Sequence, residues 1–306
     1  MTATTADETT DTTAPLASSD PNIKGLRHGP SRLPVYLTIL LITVLWMIPT
    51  IGLLINSFRE PGSIRGSGWW TVFGDLFQSG TWTLDNYSRV LDEGFSNAFA
   101  NTVAVAVPAT IIPITIAAFA AYAFAWMDFP GRNILFVSIV GLMVVPLQMA
   151  FIPILRIYTT YDLNGTYPAM WLAHTGFGLP LAVYLLRNYM GSLPSSMIES
   201  AKIDGADHFS IFMRLMLPLS VPALASFAIF QFLWTWNDYL VAYVFLGIEP
   251  DVRVLTVELA DLAGRGEGAL NLLPAAAFVT MIVPLIVFFA LQPFFVRGLT
   301  AGSVKG

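Results

Sequence analysis

Four residues interrupt the apolar stretch FAIFQFLWTWNDYLVAYVFL, Phe227–Leu246. Gln231, Trp234, Thr235 and Asp238 stand at i, i+3, i+4 and i+7, so on a helix they share one face. An indole beside amide, hydroxyl and carboxylate groups suits a sugar. The ring covers an apolar sugar face while the polar groups meet hydroxyls. Inside a membrane such groups are costly, face protein or water, and often mark a pathway. Trp236 and Tyr239 are expected instead in an interfacial aromatic belt. Little else offers reaction chemistry. The chain has no cysteine, hence no thiolate metal site and no thiol nucleophile. His28, His174 and His208 lie in separate segments, without metal-ligand spacing. Lys24, Lys202 and Lys305 follow Ile, Ala and Val, so no Gly-Lys-Ser/Thr phosphate loop exists. Neither a Gly-x-Ser-x-Gly elbow nor a His-Glu-x-x-His helix occurs. These features predict a protein that is not an enzyme and holds no cofactor; any ATP and Mg2+ would belong to another chain.

A second polar cluster lies in SSMIESAKIDGADHFSIFMRLMLPLSVP, Ser195–Pro222, which carries Glu199, Lys202, Asp204, Asp207, His208 and Arg214 between two apolar segments. Ser196 and Glu199 have capping-box spacing and predict a short helix. Gly205 can turn it. Phe209, Phe212, Met213 and Met216 predict one apolar face of a second helix, and Pro218 fits the first turn of a span. Such an elbow either rests on the bundle or docks a soluble partner, and periodicity does not separate the two.

The elements that must hold these groups are membrane helices. Of 306 residues, 55% are hydrophobic and 11% charged, against about 25% charged in soluble domains. Spans are expected at about Leu33–Ser57, Ala98–Met127, Ile134–Tyr158, Tyr167–Tyr189, Leu217–Leu246 and Leu272–Val296, several with internal prolines whose freed carbonyls neighbours must satisfy. Residues 1–30, rich in Thr, Ser, Asp and Pro, read as a disordered tail without a cleaved signal peptide. Residues 31–306 read as one all-α transmembrane domain with a polar loop at about 195–217. Nine Lys and Arg lie on the side of this loop and both termini, against six on the other side. That side is therefore expected to be cytoplasmic, in a multi-pass plasma (inner) membrane protein. No inverted repeat is visible, which counts against a self-sufficient secondary carrier. Nothing points to nucleic acid.

The polar loop resembles the signature loop of ABC importer permeases. The match runs through Glu199, Ser200 and Ala201, then Asp204, Gly205 and Ala206, then Leu217 and Pro218. The stretches AYAFAWMDFPGR (121–132), VPLQMAFIPIL (145–155) and GLTAGSVKG (298–306) are similar to the carbohydrate branch, and GSGWW (66–70) to α-glucoside permeases. Ser200 replaces the usual Ala, and Trp126 replaces a common Arg. The resemblance implies a six-span, type I importer fold whose loop is a coupling helix, with Glu199 as charged contact, Gly205 as turn, and Ala201 and Ala206 as close-packing positions. It also implies a second permease, two copies of a P-loop ATPase and an extracytoplasmic sugar-binding protein. The partner permease could hold most substrate contacts. An importer of the same architecture for glycerol phosphate or peptide, and a proton-coupled carrier, are the alternatives.

Overall fold

The computed structural model describes residues 33–74 and 80–301, with side chains up to Gln292. The expected tail at 1–30 and the last residues of the 298–306 stretch lie outside the described residues. The chain divides into two units at Thr50–Ile51. The described part of the first unit is helical and apolar on all sides, and it belongs to α1 (Leu33–Ser57). Everything below concerns the second unit.

Among the described residues the regular secondary structure is helical, with one isolated bridge between Arg59 and Trp82. After α1 come α2 (Pro61–Gly66), α3 (Asp85–Val90), α4 (Ser96–Trp126), α5 (Arg132–Gly141), α6 (Leu147–Thr160), α7 (Tyr167–Gly191), α8 (Ser195–Ile203), α9 (His208–Ile211), α10 (Leu217–Leu219), α11 (Val221–Trp236), α12 (Leu240–Phe245), α13 (Leu255–Gly264) and α14 (Leu273–Ala301). Four helical runs are long and apolar enough to cross a membrane, and two sharply bent pairs raise the number to six.

Internal prolines bend the third and fifth spans sharply. α5 and α6 meet at 103°. Val145 is extended at the break, as the clash with the Pro146 ring requires, and α6 restarts behind that proline. The run His208–Leu219 meets α11 at 71°. Pro218 and Pro222 remove two amide donors on either side of Ser220. The fifth span then stops again at Trp236 and restarts at Leu240.

By contrast, α4 runs unbroken through Pro108 and Pro113. Each proline frees the carbonyl four residues earlier. The Ala104 carbonyl accepts from the Trp171 indole N–H at 2.9 Å, and the Ala109 carbonyl accepts from the Gln231 amide at 3.1 Å. Neighbouring helices thus supply what the prolines withhold. Ala106, Ala109, Ala117 and Ala121 of α4 and Ala169, Ala173 and Ala182 of α7 are all buried. Such small residues let helix backbones approach closely in a membrane.

Candidate functional site

The elbow begins where α7 ends. Pro194, with φ −61°, is the N-cap of α8, and no side chain caps that end. The capping box between Ser196 and Glu199 does not form, because the helix already starts at Ser195 and Ser196 lies within its first turn. Glu199 and Ser200 are left exposed. At the other end the Ala206 N–H donates to the Ala201 carbonyl and the Gly205 N–H to the Lys202 carbonyl, both at 3.0 Å. This is the Schellman pattern, with Gly205 in its left-handed position at φ +81°. A Cβ at Gly205 would meet nothing within 4 Å. Glycine is required by the backbone angle, not by crowding within the chain.

Asp207 caps the next turn, its Oδ1 accepting from the Ser210 N–H at 2.8 Å. Hydrogen bonding from Ser210, first through its side chain and then through its amide, holds the Asp207 carboxyl below its ordinary range. α9 then widens into a π-helical turn, Phe212–Met216. The wide turn splits the expected apolar face. Phe212 and Met216 are buried together with Ile211, whereas Phe209 and Met213 are exposed at 62% and 42%. Pro218 stands in the short α10 turn and is exposed. Ile198, Ala201, Ala206, Ile211, Phe212 and Met216 join one apolar cluster with the ends of α4 and α7. Trp126, at the position where Arg is common, donates its indole N–H to the Met190 carbonyl at 3.1 Å. The indole thus satisfies a carbonyl in the last turn of α7.

The polar face of α11 is divided by the structure. Gln231 is fully buried; its amide nitrogen is 3.1 Å from the Ala109 carbonyl and 3.3 Å from that of His174. Its Oε1 has no hydrogen-bond partner in the chain and faces Gly178, where a Cβ would lie 2.5 Å away. Thr235 is buried and its hydroxyl unpartnered, as is that of Thr175. His174 is wholly buried with neither ring nitrogen hydrogen-bonded; its Nε2 is 3.6 Å from Asp238 Oδ2, and its ring meets Trp234 edge-on at 5.1 Å. Asp238 accepts from the backbone N–H groups of Val241 and Ala242, so it caps α12 across the break. Trp234 lines an apolar cavity of about 610 Å³ with Phe177, Phe230 and the bend between α5 and α6.

His174 lies on α7, and only packing brings it to Trp234 and Asp238. Trp236 corrects the expected aromatic belt. It is 1% exposed, packs on Phe99 and Phe232, and donates to the Thr280 carbonyl at 3.0 Å. Tyr239 remains exposed, stacked on Tyr243.

Comparison with known proteins follows this geometry. The osmoprotective compounds uptake permease protein GgtD of Synechocystis sp. is 54% identical over 90% of this chain and 92% of its own. The alpha-glucoside transport system permease protein AglG of Rhizobium meliloti is 44% identical over 92% of this chain and 99% of its own. A chain of a bacterial ABC transporter involved in the import of the acidic polysaccharide alginate shares the fold, with TM-score 0.69 and 22% identity over 86% of this chain and 97% of that one. Residues 113–301 match the family described as the binding-protein-dependent transport system inner membrane component. The residue-level resemblance to ABC importer permeases is thereby borne out, and the chain belongs to that family of transport subunits.

Proposed function

We propose that the chain is one permease subunit of an ATP-driven oligosaccharide importer, with an α-glucoside as its substrate class. The observation that carries the coupling part is the elbow. Its acidic residue Glu199 is free of any capping duty, and Gly205 holds a sharp turn with open space around it. The substrate class rests on relatives whose names specify alpha-glucosides and arabinooligosaccharides. The elbow sits in a cleft of one ATPase subunit, with Glu199, Ser200, Ala201, Asp204, Gly205 and Ala206 at the contact and Pro218 at the return into the membrane. ATP and Mg2+ bind to that subunit. Two ATPase copies and a second permease complete the membrane assembly. Both termini are cytoplasmic, and an extracytoplasmic sugar-binding protein docks on the face built from 58–97 and 247–271.

The substrate passes beside Gln231, Trp234, Thr235 and Asp238. The buried, unpartnered oxygens of Gln231 and Thr235 and the ring of His174 support this reading, since unsatisfied buried groups call for a partner. When α7 and α11 part during alternating access, these groups meet sugar hydroxyls while Trp234 offers its ring. The test is cysteine labelling on a chain that has no native thiol. Ser200→Cys is expected to crosslink to the ATPase, and Thr235→Cys to react with small polar thiol reagents in one state of the cycle only. Failure of Ser200→Cys to crosslink overturns the coupling reading. A Thr235→Cys chain inert in every state makes this face helix packing and moves the pathway to the partner permease.

A further inference from the structure

The elbow is tied to α4 by a polar contact that the coupling reading does not by itself require. Tyr122, near the elbow end of α4, is 4% exposed, and its hydroxyl is 2.9 Å from Nδ1 of His208, the first residue of α9. His208 follows directly on Asp207, whose carboxylate pins the start of that turn. The Tyr122 ring also packs on Phe212 at 5.4 Å, and Phe119, one turn earlier on α4, packs on the same Phe212 at 4.6 Å. The Tyr189 hydroxyl of α7 donates to the Leu219 carbonyl at 3.2 Å, and an apolar cluster packs the elbow on the ends of α4 and α7. Apolar surfaces resist separation but permit sliding, because the hydrophobic effect has no direction. A hydrogen bond fixes distance and angle. The helix it grips is the unbroken one. α4 passes its two prolines with both freed carbonyls satisfied, so it can carry displacement as a rod from the elbow to the opposite end. α11, in contrast, is hinged at Ser220.

We propose that the Tyr122–His208 hydrogen bond is the link through which movement of the elbow enters α4, making both positioning residues for transport. The inference rests on the elbow being the ATPase contact. Its test uses the assembled four-subunit transporter in nanodiscs, with a spin label on a cysteine at Val107, a 41% exposed position in the middle of α4. The unmodified chain is expected to show a shifted label population on ATP and vanadate. Tyr122→Phe keeps the ring and removes the hydroxyl. It should lower that ATP-driven population about fivefold, a factor equivalent to about 1 kcal/mol, while assembly and ATP hydrolysis persist. His208→Leu should do the same, the double variant no worse than either, and His208→Asn, which keeps an acceptor near the Nδ1 position, should restore the response. The inference is overturned if the Val107 label does not move in the unmodified chain, or if it moves equally in Tyr122→Phe. It is also overturned if His208→Asn and His208→Leu behave alike. The Ser200→Cys crosslink, measured in the same assembly, reports separately whether the elbow contacts the ATPase at all.

Discussion

The two ends of the bundle handle charge in opposite ways. At the end remote from the elbow, a group of charges is paired internally. Arg59 is 3% exposed and donates to Asn56, Ser63 and Ser67. Glu258, 5% exposed, lies 3.0 Å from Arg253 and 3.7 Å from Arg265. Arg265 also reaches Asp261 at 2.9 Å and Glu93 at 2.8 Å. The hydrogen bond that Arg265 donates to Asp261 holds its guanidinium above its ordinary pKa, with the charges of Asp261, Glu93 and Glu258 adding to it. At the elbow, charges are displayed. Glu199, Lys202, Asp204 and Arg214 are exposed, and among the described residues none makes an ion pair within the chain. Ile203 and Phe209 stand beside them at 85% and 62% exposure. A buried charge must be paired where it lies, whereas an exposed one is free for a partner. The remote end thus holds a network of paired charges, whereas these charges of the elbow stand on its surface without ion-pair partners among the described residues.

The largest effect that would sharpen this contrast is at Gly205. A leucine there has room but the wrong backbone angle, at a cost of about 1–2 kcal/mol for an L-residue in the left-handed region, and its side chain enters the space left for the partner. Uptake by the reconstituted importer should fall more than about tenfold with the chain still inserted, while Gly205→Asn, which tolerates that angle, should be milder. Equal uptake by all three would erase the distinction between the ends.

Next comes Glu258→Ala, which leaves Arg253 half-buried without its carboxylate. It should destabilise the chain by about 1–3 kcal/mol, read as a lower thermal midpoint in detergent, with coupling to the ATPase intact. A shift in coupling without one in stability would reverse the assignment of roles. Trp126→Phe is expected to cost about 1 kcal/mol by releasing the Met190 carbonyl, a smaller fall in the same midpoint.

The smallest effect concerns pH at the elbow. Hydrogen bonds from the Ser210 side chain and, after it, the Ser210 amide lower the Asp207 pKa from 3.8. Their contribution is therefore complete above the ordinary carboxylate value and is lost as pH falls through the lower, folded one. Protection of the Ser210 amide against hydrogen exchange, corrected for intrinsic rate, should stay flat from about pH 8 to about pH 5 and drop only under stronger acid. A midpoint near neutrality would mean that another group holds the turn.

Much of this was legible beforehand because it is local. Apolar runs of span length gave all six segments, and α1 begins and ends at the expected residues. Gly205 was marked as a turn by its lack of a Cβ, and the prolines of α4 announced carbonyls in need of donors. Helix phase was less legible. The start at Ser195 dissolved the capping box, and the π-helical turn at Phe212–Met216 exposed Phe209 and Met213. Both depend on one-residue choices that local propensity leaves nearly level.

What the sequence by itself determined is the class of molecule, the position of its elbow, and the absence of a phosphate loop in its own chain. Each follows from composition or short-range spacing, where the physics acts between near neighbours. What only the tertiary structure decided is which polar group meets which. Gln231 donates to Ala109, 122 positions away, and Tyr122 pairs with His208 across 86. His174 comes to Trp234 and Asp238 from another helix. Such pairings are set by how α4, α7 and α11 rotate to bury their small residues, and rotation about a helix axis that is apolar on nearly every side leaves almost no trace in hydrophobic periodicity.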